Sequence, residues 1–427
     1  MRAYLRARAL CLQRLLRGTP PPRRIMAWLV CSLLDSQLVA RFQRRCGLFP
    51  ATSVAAEGGA GAARAVGNGS SRLSLRRDSP AKQHSPRPPP GCATCNGSPG
   101  SAWEDVPREY LVNNYFYYYL FRISSAMGQE VFYITFLPFS YWIINPYVAR
   151  RLIIMWSLVM YIGQVSKDLL KWPRPYSPPV VKLEKRTNAE YGMPSTHAMA
   201  ATTISFTFVI TTVSQYKYSL DLGIIGAALF STMVCLSRIY TGMHSVLDVI
   251  IGSLISAVLI ALAYPTWDFI DHLILTSPLC PVFCIVVPLV LCYNYPKLDH
   301  YSPTRADTTT ILGAAAGAVI GFWVNNFYVL NTSAEAIAHS IPSITGEMLL
   351  KVLAKFLIGI STLVITRQLV KRTTLKTLCS WYSVSTSDLE TIQQIEIEVP
   401  YKFITYASIG FNATVLVPLL HEFLGLN

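Results

Sequence analysis

Three short segments of the chain bring basic residues, histidine, serine and aspartate next to long apolar stretches. The first segment, KDLLKWPRP, places Lys167 seven residues before Arg174, which Pro175 follows. Two such cations suit one phosphate group, because lysine acts as a point charge and arginine as a bidentate fork. The alternative for this segment taken alone is a pair of basic residues that only flank a membrane span.

The second segment, YGMPSTHAMA, comes directly before a charge-free run of helical length. Ser195 is a natural N-cap for that helix, whose first amides would then point at an anion. His197 falls in the first turn, where it could exchange a proton with a bound group. A structural histidine at a membrane interface is the alternative.

The third segment, SRIYTGMHSVLDV, joins two apolar runs. Arg238 ends one run, and His244 and Asp248 begin the next. Histidine and aspartate four residues apart share one helical face, so the carboxylate can fix the imidazole tautomer and leave the other nitrogen free to attack. A buried His–Asp pair with only a structural role is the alternative.

The elements that position these segments are indicated by long stretches without Asp, Glu, Lys or Arg. Most of them reach the roughly 20 residues that cross a bilayer core as a helix, and shorter apolar runs lie at 152–166 and 352–366. The sequence therefore predicts an all-α, polytopic transmembrane bundle of about 8–10 spans, with nine favoured. The charge-free stretches are 131–149, 191–216, 222–237, 249–267, 272–296, 308–334 and 403–421.

All three segments fall at the ends of consecutive predicted spans. One loop joins the first to the second, and two further crossings separate the second from the third. Alternate helix ends return to the same face of a membrane, so the three segments are expected to converge on one side.

Positive charge is concentrated at the N-terminus. Residues 1–100 hold 16 Arg or Lys against 3 Asp or Glu, which accounts for +13 of the net charge of +14. The body is thus nearly neutral, and nucleic acid is not indicated as a partner. The tail could contact anionic headgroups or be a solvated arm.

Composition divides the chain into three parts. Residues 1–105 form a basic, Pro/Gly-rich and mostly disordered extension with an interfacial helix at 25–34; residues 106–270 form a core that carries the three segments; residues 271–427 supply further transmembrane helices. The alternating IEIEV at 395–399 is expected to be a short strand or a loop.

Together the segments resemble the type 2 phosphatidic acid phosphatase superfamily, whose pattern is K-x6-R-P, P-S-G-H and S-R-x5-H-x3-D. Thr196 departs from the pattern by replacing the usual glycine. The PSTH variant, the long basic tail and the many-span body are similar to the sphingosine-1-phosphate phosphatases, and the tail favours the first of their two types. The matching residues are Lys167, Arg174, Pro175, Pro194, Ser195, His197, Ser237, Arg238, His244 and Asp248.

The resemblance implies a mechanism without metal or other cofactor. His244 would be the nucleophile that forms a phosphohistidine, Asp248 would orient it, and His197 would be the general acid and base. The bound phosphate would be held by Lys167, Arg174, Ser195 and Arg238.

The resemblance also implies a lipid phosphate substrate, sphingosine 1-phosphate or dihydrosphingosine 1-phosphate, and an endoplasmic reticulum membrane with the site facing the lumen. Phosphatidic acid, dolichyl pyrophosphate or glucose phosphate could be hydrolysed by the same motifs. A transporter is the alternative of another class, although its charges are expected near mid-span. Protein partners are not indicated, and sequons at Asn68, Asn96, Asn331 and Asn412 do not settle the topology.

Overall fold

A computed structural model describes residues 30–50, 110–184, 190–329, 345–385 and 388–426. These residues are mostly helical, as the sequence predicts, with one small sheet of two strands, β1 (Leu48–Pro50) and β2 (Tyr110–Val112).

The helices are numbered in chain order. They are α1 (Ser36–Arg45), α2 (Tyr115–Ala126), α3 (Glu130–Phe139, extended by a π-helical turn at Ser140–Ile144), α4 (Pro146–Leu170), α5 (Thr196–Val213), α6 (Leu220–Tyr240), α7 (Val246–Ala263), α8 (Trp267–Thr276), α9 (Cys280–Tyr293), α10 (Pro303–Val324), α11 (Gly346–Trp381), α12 (Leu389–Ile392), α13 (Ile395–Thr414) and α14 (Leu416–Phe423).

Seven helical stretches among the described residues are long and apolar enough to cross a membrane, which confirms a multi-pass membrane protein. Two further apolar helices, Val131–Ile144 and Cys280–Tyr293, are shorter. The number nine predicted from the sequence depends on these two. The seven long stretches are Pro146–Leu170, Thr196–Val213, Leu220–Tyr240, Val246–Thr276, Pro303–Phe327, Gly346–Trp381 and Ile395–Phe423.

The two short helices run between the same ends of the bundle as the long ones. Gly128, just before α3, lies against His197 at the start of α5, and Ile144 at the other end accepts a hydrogen bond from Tyr216 beyond the end of α5. After α9, Tyr295 returns to the end of α4, where its hydroxyl bonds to Asp168 at 2.9 Å.

Part of the predicted disordered extension is an ordered helix. Asp35 caps α1, and the Gln43 side chain, 1% exposed, donates to the carbonyls of Val181 and Tyr240. Composition could not predict this helix, because buried polar contacts and a narrow apolar face hold it in place. The remaining predictions for 1–29 and 51–105, including the first half of the interfacial helix at 25–34, lie outside the described residues, whereas residues 30–33 are helical as predicted.

The strand or loop expected at 395–399 is wrong, because these residues form the first turn of α13. Glutamates are stabilised at a helix N-terminus, where the helix dipole is positive. Glu398 also forms ion pairs with Arg305 at 2.7 Å and, one turn on, with Lys402 at 3.3 Å. These ion pairs and the helix dipole therefore outweigh the alternation of apolar and charged residues, which by itself is typical of a strand.

Two groups of helices position the motif segments. Helices α4, α5 and α6 pack side by side, with Leu152, Trp156, Ala200 and Ile204 in the largest buried apolar cluster. Helix α10 packs on α4 and α13. The carboxylate of Asp168 accepts hydrogen bonds from residues just before and within α10, which ties the C-terminal helices to the end of α4; the donors are Tyr295, Ser302 and Thr304.

Candidate active site

The first motif segment is the C-terminal end of α4 and the irregular segment that follows it. Lys167 lies in the last helical turn and is 2% exposed. Its ammonium donates to Glu190 at 3.1 Å and to the Thr196 hydroxyl at 3.2 Å. The guanidinium of Arg174 donates to the same Glu190 carboxylate oxygen at 3.2 Å and to the Met243 carbonyl at 3.1 Å. One carboxylate thus lies between the two cations predicted to hold phosphate.

The second segment begins α5, as predicted. Ser195 has extended N-cap geometry, but its hydroxyl makes no capping bond, and it is buried without a hydrogen-bond partner among the described residues. Thr196, the departure from the family pattern, is accommodated because it faces Gly163, where an added Cβ would lie 3.2 Å from the threonine methyl. His197 follows in the first turn and faces the cavity described below.

The third segment turns from α6 into α7. Arg238 lies in the last turn of α6, and Gly242 has a φ of +72°, a conformation that favours glycine. This turn brings the chain back so that His244 lies across from Arg238. Ser245 and Asp248 then form a capping box at the start of α7.

His244 is oriented by a backbone carbonyl and not by Asp248 as predicted. Its Nδ1 lies 2.8 Å from the Gly192 carbonyl oxygen but 3.9 Å from the Asp248 carboxylate, too far for a hydrogen bond. Because a carbonyl can only accept, Nδ1 carries the proton and Nε2 keeps its lone pair. The Asp248 carboxylate accepts instead from the Ser245 amide at 2.7 Å, since the capping box holds it there.

Five of the seven predicted site residues line one cavity of about 390 Å³. The structure therefore brings together the three segments that the sequence placed on one side of the membrane. Ser195 and Asp248 lie behind the wall of the cavity. The five lining residues are Lys167, Arg174, His197, Arg238 and His244.

Three carboxylates that line this cavity were missed by sequence reasoning: Glu184, Glu190 and Asp307. Glu190 pairs with Lys167 and Arg174, and Glu184 pairs with Arg238 at 2.7 Å. Burial alone would raise the pKa of Glu184, but the Arg238 charge and the hydrogen bonds from Arg238 and Ser125 hold this pKa below its ordinary value. The sequence carries one signal for this pairing, two glutamates in the short loop that joins the first two segments. Glutamates in a loop are equally typical of a solvated surface segment.

Burial and charge both keep His244 neutral. The ring is 1% exposed, and burial, followed by the positive charges of Arg174, Arg238 and Lys167, holds the pKa of His244 well below its ordinary value. A neutral imidazole with a free Nε2 is the form that can attack phosphorus. The arrangement thus combines a neutral imidazole with a free Nε2, a second histidine and three cations in one small cavity.

Residues 148–270 match the PAP2 superfamily, and this range contains all seven predicted site residues. The fold and the cavity are therefore those of a membrane-embedded phosphatase of this superfamily.

Similarity to characterised proteins extends over nearly the whole chain. The chain is 57% identical to human sphingosine-1-phosphate phosphatase 2 over 94% of its own length and 100% of the relative's. It is 38% identical to mouse sphingosine-1-phosphate phosphatase 1 over 94% and 99% of the two chains. It is 25% identical to a dihydrosphingosine 1-phosphate phosphatase of Saccharomyces cerevisiae over 60% of its own length and 63% of the relative's. The chain belongs to the sphingosine-1-phosphate phosphatase family. No solved structure matches it.

The preference for the first of the two types is not supported. Identity to the human type 2 protein, 57%, exceeds identity to the mouse type 1 protein, 38%. The long basic tail that suggested type 1 is therefore a poor guide to type.

Proposed function

We propose that this protein hydrolyses the phosphomonoester of sphingosine 1-phosphate and dihydrosphingosine 1-phosphate, giving the free long-chain base and inorganic phosphate. The observation that carries the proposal is a neutral, buried His244 with its Nε2 free, facing three cations and a second histidine in a single cavity. Similarity to sphingoid phosphate phosphatases over nearly the whole chain supports the substrate class.

Phosphate would bind by taking over the ion pairs that Glu190 makes. Lys167 and Arg174 would then contact the phosphate oxygens in place of that carboxylate, and Arg238 would complete the set. The charge that develops on the equatorial oxygens in the transition state would be stabilised by these three cations. Ser195 would contribute only if its buried hydroxyl turned toward the cavity.

In the first chemical step, Nε2 of His244 forms a bond to phosphorus while the bond from phosphorus to the lipid oxygen breaks. His197 takes up a proton once the dianionic phosphate offsets the positive charge of the three cations, and it gives this proton to the leaving alkoxide. The proton on Nδ1 stays on the ring and keeps its hydrogen bond to the Gly192 carbonyl oxygen. Asp248, 3.9 Å away, favours the positive charge that the ring gains.

In the second step, the now neutral His197 removes a proton from water, and the hydroxide oxygen bonds to phosphorus as the bond from nitrogen to phosphorus breaks. His244 returns to its neutral form and His197 regains its proton. The balance is one lipid phosphate and one water consumed, with one long-chain base and one phosphate released.

His244→Ala is the decisive variant. We expect membranes that carry the wild-type protein to release phosphate from long-chain sphingoid phosphate in the presence of a chelator, with less release from phosphatidic acid and glucose phosphate. We expect no release from His244→Ala above background, because the nucleophile is gone. When the reaction is run with a substrate labelled in its phosphate group and quenched with alkali, the label should stay bound to the wild-type protein only.

The matched control is His272→Ala, which removes an exposed histidine of α8 outside the cavity and should leave release unchanged. Retained activity in His244→Ala would overturn the mechanism. Preference for phosphatidic acid or dolichyl pyrophosphate would overturn the substrate, and absence of release from every ester would favour transport.

We further propose that the protein resides in the endoplasmic reticulum membrane with its catalytic cavity open to the lumen. The proposal is supported by the family resemblance of the motifs and by the multi-pass fold.

A further inference from the structure

The cavity that contains His244 extends well beyond the three cations. Its lining residues on α4 recur every three or four positions, so they share one face of the helix. From Lys167 to the far end of this face the cavity follows eleven residues, or about 16 Å. The cavity therefore has room for more of a substrate than its phosphate group. The α4 residues that line it are Trp156, Met160, Gln164 and Lys167.

Helix α10 forms another part of the wall, and two hydrogen bonds fix its register against α4. Thr304, near the start of α10, donates to the carboxylate of Asp168 at 2.6 Å. One turn further along α10, the Thr308 hydroxyl bonds to the side chain of Gln164, which lies one turn earlier in α4. The two helices therefore run antiparallel, and the start of α10 lies beside the end of α4.

Asp307 and Ile311 are the α10 residues that line the cavity. Asp307 lies between the two threonines that set this register, which places it level with the turn of α4 that carries Lys167. Ile311 lies one turn further from this end, level with Met160. A carboxylate from α10 thus lies beside the cations, and apolar side chains follow it.

Beyond this level the wall is aromatic and apolar. Tyr133 of α3 and Trp156 have ring centroids 6.1 Å apart, and Ile311 belongs to the same buried cluster. From one end to the other, the cavity therefore offers cations with a carboxylate beside them and then a hydrocarbon surface.

This order matches the order of groups in a sphingoid phosphate. The substrate carries a protonated amine on its second carbon, separated from phosphorus by one oxygen and two carbon atoms. A phosphate held by Lys167 would bring this ammonium group to the wall next to the lysine, with the hydrocarbon chain beyond it. Glu184 and Glu190 are held by the cations, whereas Asp307 comes from a helix that supplies none of these cations.

Asp307 also lies outside the range that matches the PAP2 superfamily, residues 148–270. The three cations and both histidines of the cavity lie inside that range. Of the described lining residues outside it, Asp307 alone is charged. The groups that act on phosphate thus come from the superfamily domain, and the carboxylate beside them is added by a C-terminal helix.

We propose that Asp307 binds the ammonium group of the sphingoid phosphate and so selects this substrate class over long-chain phosphates that lack an amine. This inference rests on the proposed function, and it names the residue that recognises the sphingoid head group. A hydrogen bond between two charged groups is short and strong, so it would also orient the substrate in front of His244.

Asp307→Asn tests the proposal, because it removes the charge and keeps the shape of the side chain. The two substrates are dihydrosphingosine 1-phosphate and its deaminated analogue, in which hydrogen replaces the amine. We expect kcat/KM of the wild type to favour the first by about ten- to a hundredfold, the range of a hydrogen bond to a charged group. In Asp307→Asn this preference should disappear, through loss on the amine substrate alone.

The matched control is Asp299→Asn, the same change at an exposed residue that precedes α10 and does not line the cavity. This variant should keep the preference of the wild type. Asp307→Glu, which retains the negative charge, should keep part of the preference.

Equal kcat/KM of the wild type on the two substrates, or an unchanged preference in Asp307→Asn, would overturn the ammonium site and leave the proposed function standing. Equal loss on both substrates in Asp307→Asn and Asp307→Glu would also overturn it, because a residue that only supports the fold or balances the cations affects every phosphate alike. Release from neither substrate by the wild type would instead overturn the proposed function.

Discussion

Each cation of the catalytic cavity already has a carboxylate partner in the structure. Lys167 and Arg174 share Glu190, and Arg238 has Glu184. Burying an unpaired cation costs several kcal/mol, so these carboxylates stabilise the site when no phosphate is bound. Phosphate binding is then an exchange of one anion for another, which limits how tightly the product phosphate is held.

The charge of Arg174 should also set the acid limb of the pH profile. Arg174 is the first of the cations that, after burial, lower the pKa of His244. A lowered pKa keeps His244 neutral, and hence nucleophilic, as the pH falls. In Arg174→Gln this pKa should rise, and the acid limb of kcat/KM should move to higher pH together with a loss of rate. The measurement is the pH dependence of phosphate release relative to the wild type.

Arg174→Lys is the control, because it keeps the charge but loses the bidentate fork. This variant should lose rate while its acid limb stays in place. An acid limb that is unmoved in Arg174→Gln would mean that burial alone sets the pKa of His244.

Residue types and spacing were enough to predict which side chains would meet. Five of the seven predicted residues line one cavity because each lies at a helix end or within a few residues of one, and helix ends can be located from charge-free runs. Contacts made by loops could not be predicted in this way. The Gly192 carbonyl on His244 and the glutamates on the cations depend on the path of the loop between α4 and α5, which carries no periodic signal.

At the scale of elements, the length of an apolar run predicts a membrane-spanning helix, but it does not show which other helix packs beside it. The packing of α10 on α13 has a signal in the sequence, the spacing of Gly313, Gly317 and Gly321 at every fourth residue. Small residues at this spacing allow helix backbones in membranes to approach closely. A Cβ at Gly313 would lie 2.9 Å from the Phe403 carbonyl oxygen.

Gly317→Leu should therefore destabilise the protein. A Cβ at this position would clash with the backbone of Ala407, which cannot move aside as a flexible side chain can. Overpacking typically costs about 1–3 kcal/mol. We expect a lower unfolding midpoint for the purified protein in detergent, measured by the loss of monodisperse protein on heating.

Gly226→Leu makes the same chemical change on α6 at a position with open space. Its midpoint should equal or exceed that of the wild type, since leucine favours the helix over glycine by nearly 1 kcal/mol. Equal destabilisation by the two variants would show that α10 and α13 do not depend on close backbone contact.

At the scale of the whole molecule, the course of the helices assigns loops to two ends. Lys171 follows the end of α4 that carries Lys167, whereas Lys217 follows the opposite end of α5. The basic side chains late in α11 lie toward the end of the bundle that carries the predicted site. After α11 the chain continues to Glu398, and Glu398 pairs with Arg305 near the start of α10, which lies at this same end. Basic residues favour the cytoplasm, so their position opposes a lumenal cavity.

We expect the lumenal orientation that the family resemblance implies to hold against the bias of these positive charges. Lys171 and Lys217 are both exposed, so each can be replaced by cysteine as a reporter of its side. In sealed microsomes, an impermeant maleimide should label Lys217→Cys at once and Lys171→Cys only after detergent, compared with the background of the wild type. The reverse pattern would place the catalytic cavity in the cytoplasm. It would leave the chemistry of His244 intact but require the sphingoid phosphate to be reached from the cytoplasmic leaflet.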